Sequence, residues 1–430
     1  YRAITLLNIV YKILSNIIME RINQYAENIL EEFQCGFRCG RSSIEQIFIL
    51  RQVMEKCFEF NTDLHILFVD YKQAFDSVNR VELLNIMEGY GIPKKLIRLV
   101  DMTMRDSNAR ITIAGNVSNA LNITQGVRQG DGLSGVLFNL ALNKALEELK
   151  LKGNILNKSK QACVYADDIA LIARNLPALQ EMLTTLTETG KKCGLCINEE
   201  KTKYMKMTVN KQNVQNFTTN ISIGQYTFEK VKSFIYLGAT LNHNGTVTEE
   251  ISKRIITANK AYYANIKLLK SSLLSRTTKL KIYRTLIRPV ITYAAETWTL
   301  SHSDENALRI FERKIIRKIY GPVCENGIWR VRSNLEIDKI LKGEDLVRFV
   351  KSLRLRWLGH VERMETGRTP KKLLTGEIIG VRRRGRPRTR WFQDVTADLR
   401  KMRIVRWKEK AQDRDAWRLI VKEAKAHPEL

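Results

Sequence analysis

Val164–Ala173 reads VYADDIALIA, with two adjacent aspartates, Asp167 and Asp168, inside an otherwise apolar run. A run of this kind predicts strand–turn–strand, with Tyr165-Ala166-Asp167-Asp168 at the turn and both carboxylates at a loop tip on a rigid scaffold. Two like charges this close are costly to bury unless a cation neutralises them. A third carboxylate is on offer, because LHILFVD is a β-rich run that ends at Asp70. Three carboxylates on neighbouring strand ends would make a hard oxygen site of the kind that holds Mg2+ with substrate phosphates. The two-ion version of that site, with ions about 3.5–4 Å apart, drives in-line phosphoryl displacement. Alone, the dipeptide equally fits an ordinary turn, where Asp is common. Context has to decide.

The chain has 430 residues, 44% of them hydrophobic, enough for two or three domains with real cores. Its 72 Lys and Arg outnumber 45 Asp and Glu, for a net charge of +27. That balance points to a polyanionic partner, nucleic acid first and an anionic membrane surface second. No apolar run is long enough to span a bilayer, which weakens the membrane reading. The seven cysteines form no disulfide framework, so a reducing compartment is expected. CGLC (Cys193, Cys196) and CGFRC have ligand-like spacing but no second pair nearby, and the histidines are isolated. With no signal peptide and Tyr1 in first place, the chain reads as a fragment whose upstream part is missing.

Apolar residues recur at helical spacing from Leu6 to Ile29, and again from Ile44 to about Phe58 after the Gly/Arg loop QCGFRCGRSS. Pro93 closes the helical segment that follows Asp70. ARITIAG predicts a strand, and QGVRQGDGLSG a Gly-rich turn that opens the helix VLFNLALNKALEEL. A helix is expected from Pro177 to about Lys192, and SFIYLGATL reads as a short strand pair. Residues 249–320 are helical in pattern, and beyond Gly321 the chain is richer in Arg and Trp. Strands mixed with helices, then helices alone, suggest an α+β catalytic unit with a helical appendage.

In this order the segments resemble those of the reverse transcriptases of non-LTR (LINE-type) retrotransposons. YRAITLLNIVYKILSNIIMERI is similar to that family's N-terminal fingers motif, and QCGFRCGRSS to the loop after it. FVDYKQAFDSVNR and GVRQGDGLSGVLFNL resemble its first two palm motifs, and VYADDIALIA its aspartate pair. GLCINEEKTKYM and SFIYLGATL resemble the motifs that finish the palm. The resemblance implies a right-hand polymerase with fingers and palm over 1–241, a helical thumb over 242–320 and a basic nucleic-acid-binding region over 321–430.

It further implies that Asp70, Asp167 and Asp168 are catalytic and hold two Mg2+ ions, with the carbonyl of Tyr71 as a neutral ligand. Phe75, five residues past Asp70, matches the steric gate against a 2′-hydroxyl, although core packing also suits a residue after a strand. Gln129 and Gly130 match the lining of the nucleotide pocket, where glycine lets backbone approach substrate. Many family members have proline where this chain has Gly132 and Gly135, which suggests a looser turn here. Arg38 and Arg41 are candidate triphosphate contacts or else solvated loop charges. Lys201 could steady pyrophosphate or be a surface lysine.

The apolar stripes of 249–320 read as core, and the Lys and Arg between them could meet backbone phosphates. RRRGRPRTR places six arginines, Arg382, Arg383, Arg384, Arg386, Arg388 and Arg390, in nine residues beside Trp391 and Phe392. This stretch could enter a minor groove, act as a nuclear targeting signal, or be a solvated basic loop. Trp357 and Trp391 could stack on unpaired bases or be buried between helices.

The expected function is RNA-templated DNA synthesis by target priming, with an RNA template, a DNA primer or target, and deoxynucleoside triphosphates as partners. The expected location is intracellular, nuclear where the target is primed. The alternative is a catalytically degenerate, element-derived RNA- or DNA-binding protein. A stand-alone nuclease has little support, since no endonuclease or ribonuclease H motif is evident.

Overall fold

The computed structural model describes residues 7–110, 112–113, 116–149, 151, 160–208, 220–376, 382, 385 and 388–430. The chain packs into two compact units, one built from Tyr1–Val53 and Phe60–Lys232, the other from Met54–Glu59, Ser233–Gly376 and Val381–Leu430.

In the first unit, α1 (Ile9–Ile29) starts at Asn8, whose side chain accepts the Val10 N–H at 2.9 Å. Helix α2 (Ser43–Glu59) leads to β1 (Leu64–Val69), whose six residues are all buried. Helices α3 (Ala74–Ser77), α4 (Arg80–Gly89) and α5 (Lys94–Met104) follow. The stretch expected as one strand forms two short ladders, β2 (Asn108–Ala109) with β5 (Leu121–Asn122) and β3 (Thr112–Ile113) with β4 (Asn116–Val117). Helix α6 (Gly132–Glu147) buries 13 of its 16 residues, so its two asparagines, Asn139 and Asn143, must find partners inside the protein. Then come β6 (Lys160–Tyr165), β7 (Asp168–Ala173), α7 (Leu176–Lys192), β8 (Lys203–Met207), β9 (Ile221–Ile223) and β10 (Tyr226–Lys230).

Six strands form one sheet in the order β6-β7-β1-β8-β10-β9. All its pairings are antiparallel except β8 with β10. The hairpin read from VYADDIALIA is therefore real, and it lies beside the strand that ends at Asp70. Leu67, Val69, Val164, Ile169 and Leu171 of the sheet share one core with Phe138 of α6 and Leu183 of α7. Helices over a mainly antiparallel sheet make this an α+β unit.

The second unit opens with the hairpin β11 (Ser233–Tyr236) and β12 (Ala239–Asn242). It continues through α8 (Thr248–Ala264), α9 (Ile266–Lys270) and α10 (Arg276–Ile282). One π-helical turn, Tyr283–Ile287, precedes α11 (Arg288–Ile291), where Pro289 lacks the N–H that a continuous helix needs. Helix α12 (His302–Tyr320) is started by a reciprocal cap between Ser301 and Asp304. The remaining elements are β13 (Val323–Glu325), β14 (Ile328–Arg330), α13 (Asn334–Ile340), α14 (Leu346–Glu362), α15 (Thr369–Thr375), α16 (Trp391–Lys401), α17 (Trp407–Gln412) and α18 (Arg414–Ala424). The helical stretch expected as a thumb and the Arg/Trp-rich region after it lie in this same unit. Its core joins Tyr262, Trp298, Phe311 and Ile315 to Val347 and Val350 of α14. Arg354 of α14 is fully buried, with Asp394 at 2.7 Å and Asp398 at 3.7 Å on α16. Among the described residues no helix is long and apolar enough to cross a membrane.

Candidate active site

Strand register assembles the site. Val69 pairs with Ile169, so Asp70, one residue on, falls opposite Asp168 at the same edge of the sheet. Tyr165 pairs with Asp168 across the hairpin, which leaves Ala166 and Asp167 as a two-residue turn. Ala166 has φ 55, a left-handed conformation that glycine more often supplies. Asp168 is exposed, while Asp70 and Asp167 are half-buried. The Oδ2 of Asp70 is buried without a hydrogen-bond partner. Its backbone is fixed from both sides, the N–H donating to Thr202 Oγ1 at 3.2 Å and the carbonyl accepting from Asn198 N at 2.7 Å.

The donor set suits a hard divalent cation, with carboxylate oxygens at adjacent strand ends and one of them orphaned. The expected three-carboxylate cluster is not closed, however: among the described residues no three His, Cys, Asp or Glu side chains are grouped to hold a metal. Asp167 lies in the two-residue turn and Asp168 at the start of β7. The Tyr71 side chain is buried, and burial drives its hydroxyl pKa well above the usual value.

A family model described as reverse transcriptase (RNA-dependent DNA polymerase) matches residues 1–241. The chain belongs to the reverse transcriptase family. That membership implies a polymerase dependent on a divalent metal. A transposon-derived protein of Caenorhabditis elegans is 26% identical over 60% of this chain and 94% of its own length. The RNA-directed DNA polymerase from mobile element jockey of Drosophila funebris is 26% identical over 79% of this chain, which spans 38% of that polymerase. The Pol polyprotein of the type-1 retrotransposable element R2 of Bradysia coprophila is 32% identical over 37% of this chain and 18% of its own length. Apo telomerase of Candida tropicalis is a distant structural neighbour, with TM-score 0.42 and 12% identity over 84% of this chain and 59% of that one.

In this reverse transcriptase the loop after α1 braces the aspartate turn, which the sequence reading did not anticipate. Cys35 N donates to Val164 O at 2.9 Å, and Val164 N to Phe33 O at 3.1 Å. Gln34 Oε1 accepts the N–H groups of Gly36 (2.9 Å) and Ala166 (3.2 Å). Gly36 O in turn accepts Asn139 Nδ2 at 2.7 Å. A Cβ on Gly36 would sit 2.3 Å from Ala166 N, so only glycine permits this contact. The available signal was Asn139, a polar residue in the middle of an apolar helix.

Phe75 is partly buried, stacked on Phe138 at 4.5 Å between centroids and meeting Phe37 edge-on at 6.3 Å. Its carbonyl accepts Val127 N at 2.8 Å, which ties it to the Gly-rich loop. Gln129 is half-buried and Gly130 is exposed at φ 103. A second close backbone approach occurs at Gly126, whose Cβ would lie 2.6 Å from Asp76 O. Gly135 does not loosen a turn. It lies in α6 under the Phe37 ring, where a Cβ would come within 2.6 Å. This helix is capped by Asp131, which also accepts the Tyr11 hydroxyl at 2.8 Å. Burial first, then that hydrogen bond, raises the Tyr11 pKa.

Several expected contacts are already committed. The Arg38 side chain, 5% exposed, pairs with Glu27 at 3.0 Å and donates to the carbonyls of Leu30, Glu31 and Gln34 at the end of α1. Arg41, 9% exposed, forks onto Glu32 at 2.6 and 2.7 Å, with Glu45 at 3.4 Å. Both are structural guanidiniums rather than loop charges, and neither can meet a triphosphate without giving up these partners. Lys201 is exposed, on the turn whose Asn198 and Thr202 bond the Asp70 backbone.

In the second unit Arg382 donates to Glu59 at 2.6 Å, and Arg390 pairs with the same carboxylate. Arg388 donates to Asn244 O at 2.6 Å and lies 4.0 Å over the Phe58 ring. These three are engaged within their own unit. Arg383, Arg384 and Arg386 lie outside the described residues. Trp391 is fully buried, its Nε1 donating to Glu296 O at 2.9 Å, and Trp357 is buried as well, so neither is placed to stack on a base.

Proposed function

We propose that this chain is the RNA-directed DNA polymerase of a non-LTR retrotransposon. It would add deoxynucleotides to a primer 3′-hydroxyl on an RNA template, at a nuclear target that supplies the primer. The observation that carries the reading is the meeting of Asp70 and the Asp167–Asp168 turn on adjacent strand ends, within the ordered reverse transcriptase motifs. Asp70, Asp167 and Asp168, with the Tyr71 carbonyl, would hold two Mg2+ ions. Bound there, such ions acidify the primer hydroxyl and neutralise the triphosphate. The protein's part is positioning. The Thr202 and Asn198 bonds fix the Asp70 backbone, Gln34 fixes the turn, and the Phe75 ring supplies an apolar wall that offers a 2′-hydroxyl no partner.

The test is primer extension on an RNA template with dNTPs and Mg2+, run beside a gel shift. Extension should be abolished in Asp168→Ala while RNA binding persists. Binding without extension in the unaltered chain would favour a degenerate nucleic-acid-binding protein, and extension surviving in Asp168→Ala would remove the metal assignment.

A further inference from the structure

We propose that Phe37 forms the outer wall of the nucleotide site, facing Phe75, and that it stacks on the incoming deoxynucleotide. The inference rests on the polymerase reading above and adds a residue to it. Phe37 is 56% exposed, although a large apolar ring gains by burial. Its backbone holds φ 53, a left-handed conformation that bulky residues rarely adopt and that persists only where surrounding structure enforces it.

The enforcement is visible on both sides. On the N-terminal side, Gln34 Oε1 accepts the Ala166 N–H, Phe33 and Cys35 bond Val164 of the hairpin, and Gly36 O accepts from Asn139 of α6. On the ring side, Gly135 provides the space, since any Cβ there would strike the Phe37 ring. The ring is thus held at one place relative to two parts of the site, the turn with Asp167 and Asp168 and the side chain of Phe75. Phe138 covers one face of Phe75, and Phe37 meets that ring edge-on at 81°. An exposed ring fixed beside the sugar gate has a flat surface to offer a base or deoxyribose. Aromatic stacking of this kind tolerates all four bases, as a polymerase requires. Gln34 and Gly36 act through Phe37 and the turn, as positioning residues.

The experiment measures dGTP binding by equilibrium dialysis, with Mg2+ and an RNA–DNA template–primer ended by a dideoxynucleotide, alongside steady-state primer extension. Because the ring is largely exposed, Phe37→Ala should melt where the unaltered protein does. It should weaken dGTP binding and raise KM on the order of 10-fold, with kcat changed less than about twofold, and Phe37→Tyr should restore both. Gln34→Leu, which removes the acceptor oxygen for Ala166 N, should lower kcat. Unchanged dGTP binding in Phe37→Ala, with the parent protein extending primers normally, overturns the wall and leaves the polymerase reading standing. A parent protein that binds dGTP through Phe37 yet extends nothing keeps the wall and overturns that reading. If it neither binds nor extends, both fall.

Discussion

One carboxylate oxygen of Asp70 is buried without a partner, and such a group costs about 1–3 kcal/mol. Asp70→Asn removes the charge with little change of shape. We expect it to abolish primer extension while raising the melting temperature, by roughly 2–4 °C per kcal/mol recovered for a unit of this size. A lower melting temperature would mean that the carboxylate is satisfied in solution. Phe75 makes a different trade. One face is packed on Phe138, and its edge meets the exposed Phe37. Phe75→Val should raise ribonucleotide use, read as a fall in the dGTP/rGTP ratio of kcat/KM on one RNA template. An unchanged ratio in an active variant would make Phe75 a core residue only. The strand ends that carry the three aspartates were legible in the sequence because the spacing within each motif is local. Gln34, Gly36 and Gly126 were not, because their roles depend on which backbone passes within 3 Å, a fact no spacing encodes. The ion pairs of Arg38 and Arg41 were hidden for the same reason, since their carboxylate partners lie 9–11 residues away in the chain.

Among the elements, the aspartate hairpin and the long helices could be read from periodicity. The strands β8 to β10 could not. In β8, Lys203 and Lys206 break up the apolar pattern, and they are tied down by Glu229 at 2.5 Å and Asp63 at 2.8 Å. Helix α12 carries a comparable hidden acid. Glu312 accepts the Tyr283 hydroxyl at 2.7 Å and Leu346 N–H at 2.5 Å, and burial pushes its pKa up to about 7. With an unfolded value near 4.5, its stabilising contribution is complete below that pH and is lost as pH rises through 7, on the order of 3 kcal/mol in all. The second unit should therefore melt higher at pH 5 than at pH 8, and Glu312→Gln should shrink that difference. Melting curves at the two pH values decide, and an undiminished difference would assign the dependence to other groups.

Over the whole chain, the +27 charge sets the terms of nucleic-acid binding. Affinity for a template–primer should fall steeply with salt, by about 10³–10⁵ between 50 and 200 mM if six to ten phosphates are neutralised. A shallow slope in a salt titration would argue that base stacking dominates. Composition revealed this much, but not the allocation of the charge, since Arg382, Arg388 and Arg390 serve the fold. Their acidic counterpart is the last turn of α2, which counts with the second unit although it lies in the first sixty residues. There Glu55 accepts the N–H of Trp391, 336 residues further along, and burial pushes its pKa up to about 7. The ribosome must supply that partner. At about 5–20 residues per second, Glu55 emerges roughly 20–70 s before Trp391 does. Throughout that interval the end of α2 has no lid, so a nascent chain stalled short of Trp391 should be cut by protease around Met54–Glu59, and one extended through Leu430 and clear of the ribosome should resist.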